Sequence, residues 1–174
     1  MTLSRLIPVV IVLALGIFLG LNLGRPQQAV VKSAMVGKPV PEFALPGLAA
    51  EGPGLASADL AGGGPVLVNF FASWCLPCRV EAPQLQALRE AGVTLHGIAL
   101  RDAPDDVRGF LARHGNPFTR IGMDQEGKLA IAFGSSGVPE TFLVDGRGII
   151  RAQHIGEIRE EHVAELLEEA RKWR

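Results

Sequence analysis

Both cysteines of this 174-residue chain lie in Trp74-Cys75-Leu76-Pro77-Cys78. Two thiols at this spacing can close a small disulfide ring, pass electrons in pairs, or supply half of a metal site. The preceding run, Pro65-Val66-Leu67-Val68-Asn69-Phe70-Phe71, is short and apolar and reads as a buried strand. The dithiol therefore falls where a strand ends and a helix should begin. A thiol there meets backbone N–H groups without helical partners and the positive end of the helix dipole, and both favour thiolate. Thiolate is the species that attacks a disulfide. Cys78 lies on the same helix face and can close the ring.

Other uses of two cysteines fit less well. A structural bridge at this spacing closes a very short loop and contributes little through chain entropy. Zinc needs two further ligands, and His96, His114, His154 and His162 are scattered along the chain. Haem attachment needs His after the second cysteine, where Arg79 stands. The expectation is a redox-active Cys75–Cys78 pair with no metal and no bound cofactor.

The flanking sequence supplies the elements that would position this pair. A short apolar strand over 39–45 is bounded by prolines, and the strand at 66–71 leads into the dithiol. A helix over about 78–91 carries Val80, Leu85 and Leu88 and stops at Gly92. Residues 93–100 read as a second buried strand. Asp102-Ala103-Pro104-Asp105-Asp106 caps a helix running to about His114, with its acids at the dipole's positive end. A short strand at 118–121 and a short helix over 127–133 follow. Segments 141–144 and 149–153 form a hairpin turning on Asp145-Gly146-Arg147-Gly148. The last helix, 159–173, places Val163, Leu166, Leu167, Ala170 and Trp173 on one stripe. This alternation predicts an α/β domain with a central mixed sheet covered on both faces, and a right-handed βαβ unit around the dithiol.

Residues 6–24 carry no charge and are bracketed by Arg5 and Arg25. At 1.5 Å per residue the stretch spans roughly 28 Å, about one hydrocarbon core. A cleaved signal peptide is the rival, but its apolar region would be shorter, and Leu21-Asn22-Leu23-Gly24-Arg25 has no A-x-A site. The expected organisation is a short cytoplasmic N-terminus (1–5), a transmembrane anchor (6–24), a polar linker (25–35) and one exported domain (36–174). The flanking positive charges nearly tie, so orientation rests on the thiols. With both cysteines in the motif, nothing is left to mispair in an oxidising compartment. A bacterial inner membrane with the domain in the periplasm fits; an organelle targeting peptide would be Arg/Ser-rich and amphipathic. A net charge of −1 provides no basic field for nucleic acid.

Two blocks carry a resemblance to a known family: Asn69-Phe70-Phe71-Ala72-Ser73-Trp74-Cys75-Leu76-Pro77-Cys78-Arg79-Val80-Glu81-Ala82-Pro83, and Phe133-Gly134-Ser135-Ser136-Gly137-Val138-Pro139-Glu140-Thr141-Phe142-Leu143-Val144-Asp145. The chain resembles the thioredoxin superfamily, with Trp74 as the aromatic before the first cysteine, Pro83 inside the helix, and Val138-Pro139 as the loop facing the dithiol. That resemblance implies a thioredoxin-like fold with a cis Val138–Pro139 bond; an ordinary trans turn is the alternative. The N-terminal extension and the long central segment 102–133, read as an insertion, resemble the membrane-tethered TlpA-like branch. Within it, G-x-P-E-T-F resembles the CcmG/DsbE family of cytochrome c maturation. Phe133 stands where many members have Tyr.

The resemblance implies a protein-disulfide reductase with Cys75 as nucleophile and Cys78 as resolving thiol. It takes electrons from a CcdA/DsbD-type membrane donor and passes them to apocytochrome c haem-binding cysteines or a CcmH-like partner. Pro139 would hold backbone beside Cys75 for an extended substrate strand. Trp74 would shield the dithiol or fill core. Thioredoxins bury Asp where this chain has Asn69, and Asn does not titrate. Glu81, three residues past Cys78, either assists Cys78 deprotonation or is a solvated helix carboxylate. Glu140 would face the partner groove and, with Glu81, raise the thiol pKa values. Arg79 would pull the other way or lie on the surface. Other readings are a general TlpA-like reductase for exported or copper-site proteins, a peroxiredoxin-type peroxidase (lacking the expected Thr, with Ala72 there), and a copper carrier (lacking a His in the proline loop).

Overall fold

The computed structural model describes residues 34–48 and 53–174, together with positions 7, 11–13 and 16. Most of the expected anchor (6–24) and of the linker lies outside these residues, and among the described residues no helix is long and apolar enough to cross a membrane. Ser33–Arg174 forms one compact unit.

Its elements are β1 (Ala44–Leu45), β2 (Leu55–Ala56), a 3-10 turn (Ser57–Leu60), β3 (Val66–Phe71), α1 (Leu76–Glu90), β4 (Thr94–Leu100), α2 (Pro104–His114), β5 (Arg120–Asp124), α3 (Lys128–Ala132), β6 (Glu140–Val144), β7 (Ile150–Ile155) and α4 (Glu160–Lys172). A five-stranded sheet has the order β5-β4-β3-β6-β7, and β1 pairs with β2 as a separate ribbon. β3 is parallel to β4 and antiparallel to β6, so the mixed sheet predicted from the sequence is present with the dithiol strand at its centre. Every residue of β3 is buried, as a strand covered on both faces requires.

The pleat sorts β3 into two cores. Leu67 and Phe71 join the cluster that contains Cys75, Cys78, Leu85, Leu88 and Phe110. Val66, Val68 and Phe70 join the opposite cluster with Leu129, Phe133 and Phe142. Asn69 shares the parity of Leu67 and Phe71, so its side chain points to the dithiol side. Beside it on β4, Gly97 leaves room for the stacked Phe71–Phe118 rings, 4.8 Å between centroids. A Cβ at that glycine would meet ring carbons of both at 2.9 Å.

On the other face Phe133 is wholly buried, edge-to-face with Phe70 at 5.3 Å and Phe142 at 5.2 Å. Phe133→Ala should cost about 3–5 kcal/mol, transfer plus cavity, measured as the shift in urea unfolding midpoint at constant slope. A loss below about 1 kcal/mol would show that this core collapses freely around the gap.

Several expectations need correction. Only Ala44–Leu45 of the expected 39–45 strand pairs as a strand, because the prolines on both sides lack N–H donors. Helix α1 begins at Leu76, with Cys75 as N-cap, rather than at Cys78. Its C-terminus is a Schellman turn: Gly92 N–H donates to Arg89 C=O at 2.9 Å and Val93 N–H to Leu88 C=O at 3.1 Å. The buried stripe of α1 is Cys78, Glu81, Ala82, Leu85 and Leu88, and Val80 is 58% exposed. The fifth strand runs from Arg120 to Asp124, shifted from 118–121. Within the expected capping segment of α2 the N-cap is Ala103, with no side-chain cap, and Asp105 and Asp106 stand in the first turn as expected.

Candidate active site

Central strand β3 ends at Phe71, and the turn Ala72–Trp74 hands the chain to α1. Cys75 N–H donates to Ala72 C=O at 3.2 Å, closing that turn. Cys75 occupies the N-cap in extended backbone, and its Sγ accepts from Cys78 N–H at 3.1 Å. The sulfur thus takes the place of a capping oxygen, and the N–H that satisfies it would stabilise a thiolate there. Cys75 and Cys78 are joined by a disulfide with S–S 2.07 Å and Cα–Cα 5.3 Å. Pro77 fits the first turn, where its missing N–H has no helical partner, and Pro83 lies inside α1 as expected.

Beneath the dithiol is a buried polar cluster. Asn69 Nδ2 donates to Glu81 Oε1 and to Thr141 Oγ1, each at 3.0 Å. Ile158 N–H donates to Glu81 Oε2 at 3.1 Å. Glu81 is 0% exposed, so it is not a solvated helix carboxylate. Burial pushes its carboxyl up from 4.5 to about 7, against the lowering effect of the bonds from Ile158 and Asn69; Glu157 adds a smaller upward push. Glu81, Asn69 and Cys78 line one small cavity of about 10 Å³, walled by Phe71, Phe110 and Phe118. A carboxyl that titrates near neutrality, facing the same cavity as the inner cysteine, can hold or release a proton there.

The Val138–Pro139 bond is cis, as the resemblance implied. Continuing the β3–β6 register one step past Phe70↔Glu140 sets Pro139 opposite Phe71, beside the end of the dithiol strand. Val138 packs against the core cluster that contains both cysteines. Glu140 does not face a partner groove. It shares the parity of Phe142 and Val144, is 0% exposed, and lies on the sheet face opposite the dithiol. Its carboxylate accepts from Ser136 N–H at 3.0 Å and from Gln153 Nε2, which ties down the loop ahead of Pro139. Trp74 is 59% exposed and fills no core. With Leu76 and Val80 it leaves an apolar surface beside Cys75. Arg79 is exposed, and its Nη2 donates to Ser73 C=O at 3.3 Å.

Three contributors were missed in the sequence: Thr141, the Ile158 amide, and Asp102, which is buried and accepts from Ser73. Thr141 had a period-two signal, being two residues from Leu143 on the same strand face. Among the described residues no group of three His, Cys, Asp or Glu side chains could hold a metal ion.

What fold and site define together is a thiol:disulfide oxidoreductase of thioredoxin-like architecture. Residues 35–168 match the Redoxin family model. The chain is 46% identical over 126 residues to the thiol:disulfide interchange protein HelX of Rhodobacter capsulatus, covering 72% of this chain and 71% of the relative. It is 38% identical over 157 residues to DsbE of Escherichia coli, covering 88% and 85%. A crystal structure of a DsbE-type thiol:disulfide interchange protein from Chlorobium tepidum superposes with a TM-score of 0.67 at 30% identity, over 79% of this chain and 96% of that one. The chain belongs to the Redoxin family and, within it, to the DsbE/HelX thiol:disulfide interchange proteins.

Proposed function

We propose that this protein is a membrane-tethered periplasmic reductase that delivers electrons to the haem-binding cysteines of apocytochrome c, directly or through a CcmH-like partner. Its electrons come from a CcdA/DsbD-type membrane donor, and residues 6–24 anchor it to the bacterial inner membrane. Cys75 thiolate attacks one sulfur of the substrate disulfide. A mixed disulfide forms and the first substrate thiolate leaves. Cys78 gives its proton to Glu81 and attacks Cys75. The Cys75–Cys78 disulfide closes, the second substrate thiolate leaves, and two electrons have moved to the substrate. The backbone ahead of Pro139 pairs with an extended substrate strand, and Trp74, Leu76 and Val80 receive apolar side chains flanking it.

The observation that carries this reading is Glu81, a buried carboxyl tuned to neutrality beside the inner cysteine in a chain similar to DsbE and HelX proteins. A carboxylate there disfavours thiolate, and a thiol of raised pKa is a poorer leaving group, which favours a reducing poise. The test equilibrates the full chain in detergent with glutathione and offers it an oxidised C-x-x-C-H peptide. A reduction potential below about −200 mV with rapid peptide reduction is expected. A potential near about −120 mV, that of a disulfide-forming oxidant, would overturn the reading.

A further inference from the structure

The loop after β4 holds a buried carboxylate that the scheme above leaves unused. Asp102 is 5% exposed. Its Oδ1 accepts from Ser73 Oγ at 2.9 Å, and its Oδ2 accepts from Ser73 N–H. The third polar group of Ser73, its carbonyl, accepts from Arg79. Ser73 is therefore gripped at every polar atom, and the next two residues are Trp74 and Cys75.

The loop that presents Asp102 is itself restrained. Arg101 has φ +47, a left-handed conformation that a non-glycine residue keeps only where its surroundings over-determine it. Arg101 N–H donates to Asp124 C=O at 3.0 Å, and Gln125 Nε2 donates to Asp102 C=O at 2.7 Å. An Asp just ahead of a helix commonly caps it, yet α2 has Ala103 at its N-cap and no side-chain cap. The carboxylate is turned from that local use toward the redox turn.

We propose that Asp102 is a positioning residue for Cys75: its two-oxygen grip on Ser73 fixes the turn that carries Trp74 and Cys75, and its negative charge opposes the Cys75 thiolate. This rests on Cys75 being the attacking thiol. Charged neighbours that act on the same turn include Arg79, exposed and bonded to Ser73, Arg101 in the Asp102 loop, and Glu81 beneath Cys78.

The relevant equilibrium is protein disulfide plus two glutathione thiols giving protein dithiol plus glutathione disulfide. Removing a charge that opposes thiolate stabilises the reduced protein and shifts this equilibrium toward dithiol. Asp102→Asn is the informative variant. Its amide oxygen can accept from Ser73 N–H, and its NH2 can donate to Ser73 Oγ, so the grip survives while the charge goes. The expected shift is about tenfold toward dithiol, equivalent to about 30 mV, with Cys75 alkylation titrating at lower pH. Ser73→Ala keeps the charge and the N–H bond and should move the constant by less than about threefold. An equilibrium constant and alkylation profile of Asp102→Asn within twofold of wild type would overturn the proposal.

A measurement on the unaltered full chain covers the case where the variant does not fold. Coupling is reciprocal, so the Asp102 carboxyl carbon should show an NMR inflection at the Cys75 pKa in reduced protein. The inflection should vanish in oxidised protein and in reduced Cys75→Ser. Its absence from the reduced wild type, or its persistence in Cys75→Ser, would equally overturn the proposal. The two readings fail separately: a wild-type potential near about −120 mV removes the reductase function but leaves this coupling standing.

Discussion

Cys75→Ser should lose disulfide-reductase turnover by on the order of 10³-fold or more, the scale of removing a covalent nucleophile. Cys78→Ser should instead still attack substrate and accumulate as a mixed disulfide. Burial does not distinguish the two thiols, since Cys75 is 3% exposed and Cys78 2%. Position does. Cys75 is the N-cap, with the Cys78 N–H aimed at its sulfur and the exposed Trp74 and Leu76 on either side. Cys78 sits one turn inward and faces the cavity it shares with Asn69 and Glu81. Serine at position 75 cannot form a comparable nucleophile at neutral pH, because a hydroxyl is far weaker there than a thiolate. Insulin-disulfide reduction measures the turnover, and non-reducing mass spectrometry detects the trapped adduct. Trapping by Cys75→Ser and none by Cys78→Ser would reverse the assignment.

Position also explains what could be read in the sequence. The short, continuous apolar run into Cys75 was enough to place the dithiol at a strand-to-helix junction. The cis proline was legible through a motif rather than through physics, since Val138-Pro139 alone is compatible with a trans turn. Val80, Leu85 and Leu88 are apolar residues that the sequence shows on α1, and apolar type alone does not say which of them is buried. The stripe that forms is set by Cys78, Leu85 and Leu88, and it excludes position 80 while including Glu81. Glu140 shows the same lesson in a strand. It adjoins Pro139 in sequence, but its parity with Phe142 sends the carboxylate through the sheet to the opposite core. Asp102 could not have been found this way. Its partner is 29 residues distant and lies at the end of a neighbouring parallel strand, so the contact exists only once β3 and β4 pair.

Glu81→Gln should slow resolution of the mixed disulfide by about 10–100-fold near pH 7, within the usual range for losing a general base. It should also flatten the pH profile of that step. The wild-type carboxyl titrates at about 7, so it accepts the Cys78 proton increasingly well as pH rises through that value, whereas Gln accepts none. The same group leaves a mark on stability that needs no substrate. Its pKa is about 7 when folded against 4.5 for an ordinary glutamate, so the native state binds this proton more tightly than the unfolded chain. The stabilisation is fully present below 4.5 and is lost as pH rises through about 7, a change of about 3 kcal/mol. Buried His96 and half-buried His154, whose pKa values are lowered chiefly by desolvation, act with the opposite sign, stabilising above 6.5 and less as pH falls. The difference between wild type and Glu81→Gln cancels them and isolates Glu81. Gln cannot accept at both oxygen positions, so its NH2 replaces the acceptor of either Ile158 N–H or Asn69 Nδ2, a roughly pH-independent cost. Denaturant unfolding of the oxidised proteins at pH 4.5, 6 and 8 should therefore show a difference that changes with pH in Glu81→Gln's favour as pH rises. A pH-independent difference, with an unchanged resolution profile, would mean that Glu81 stays ionised throughout and cannot serve as the proton acceptor.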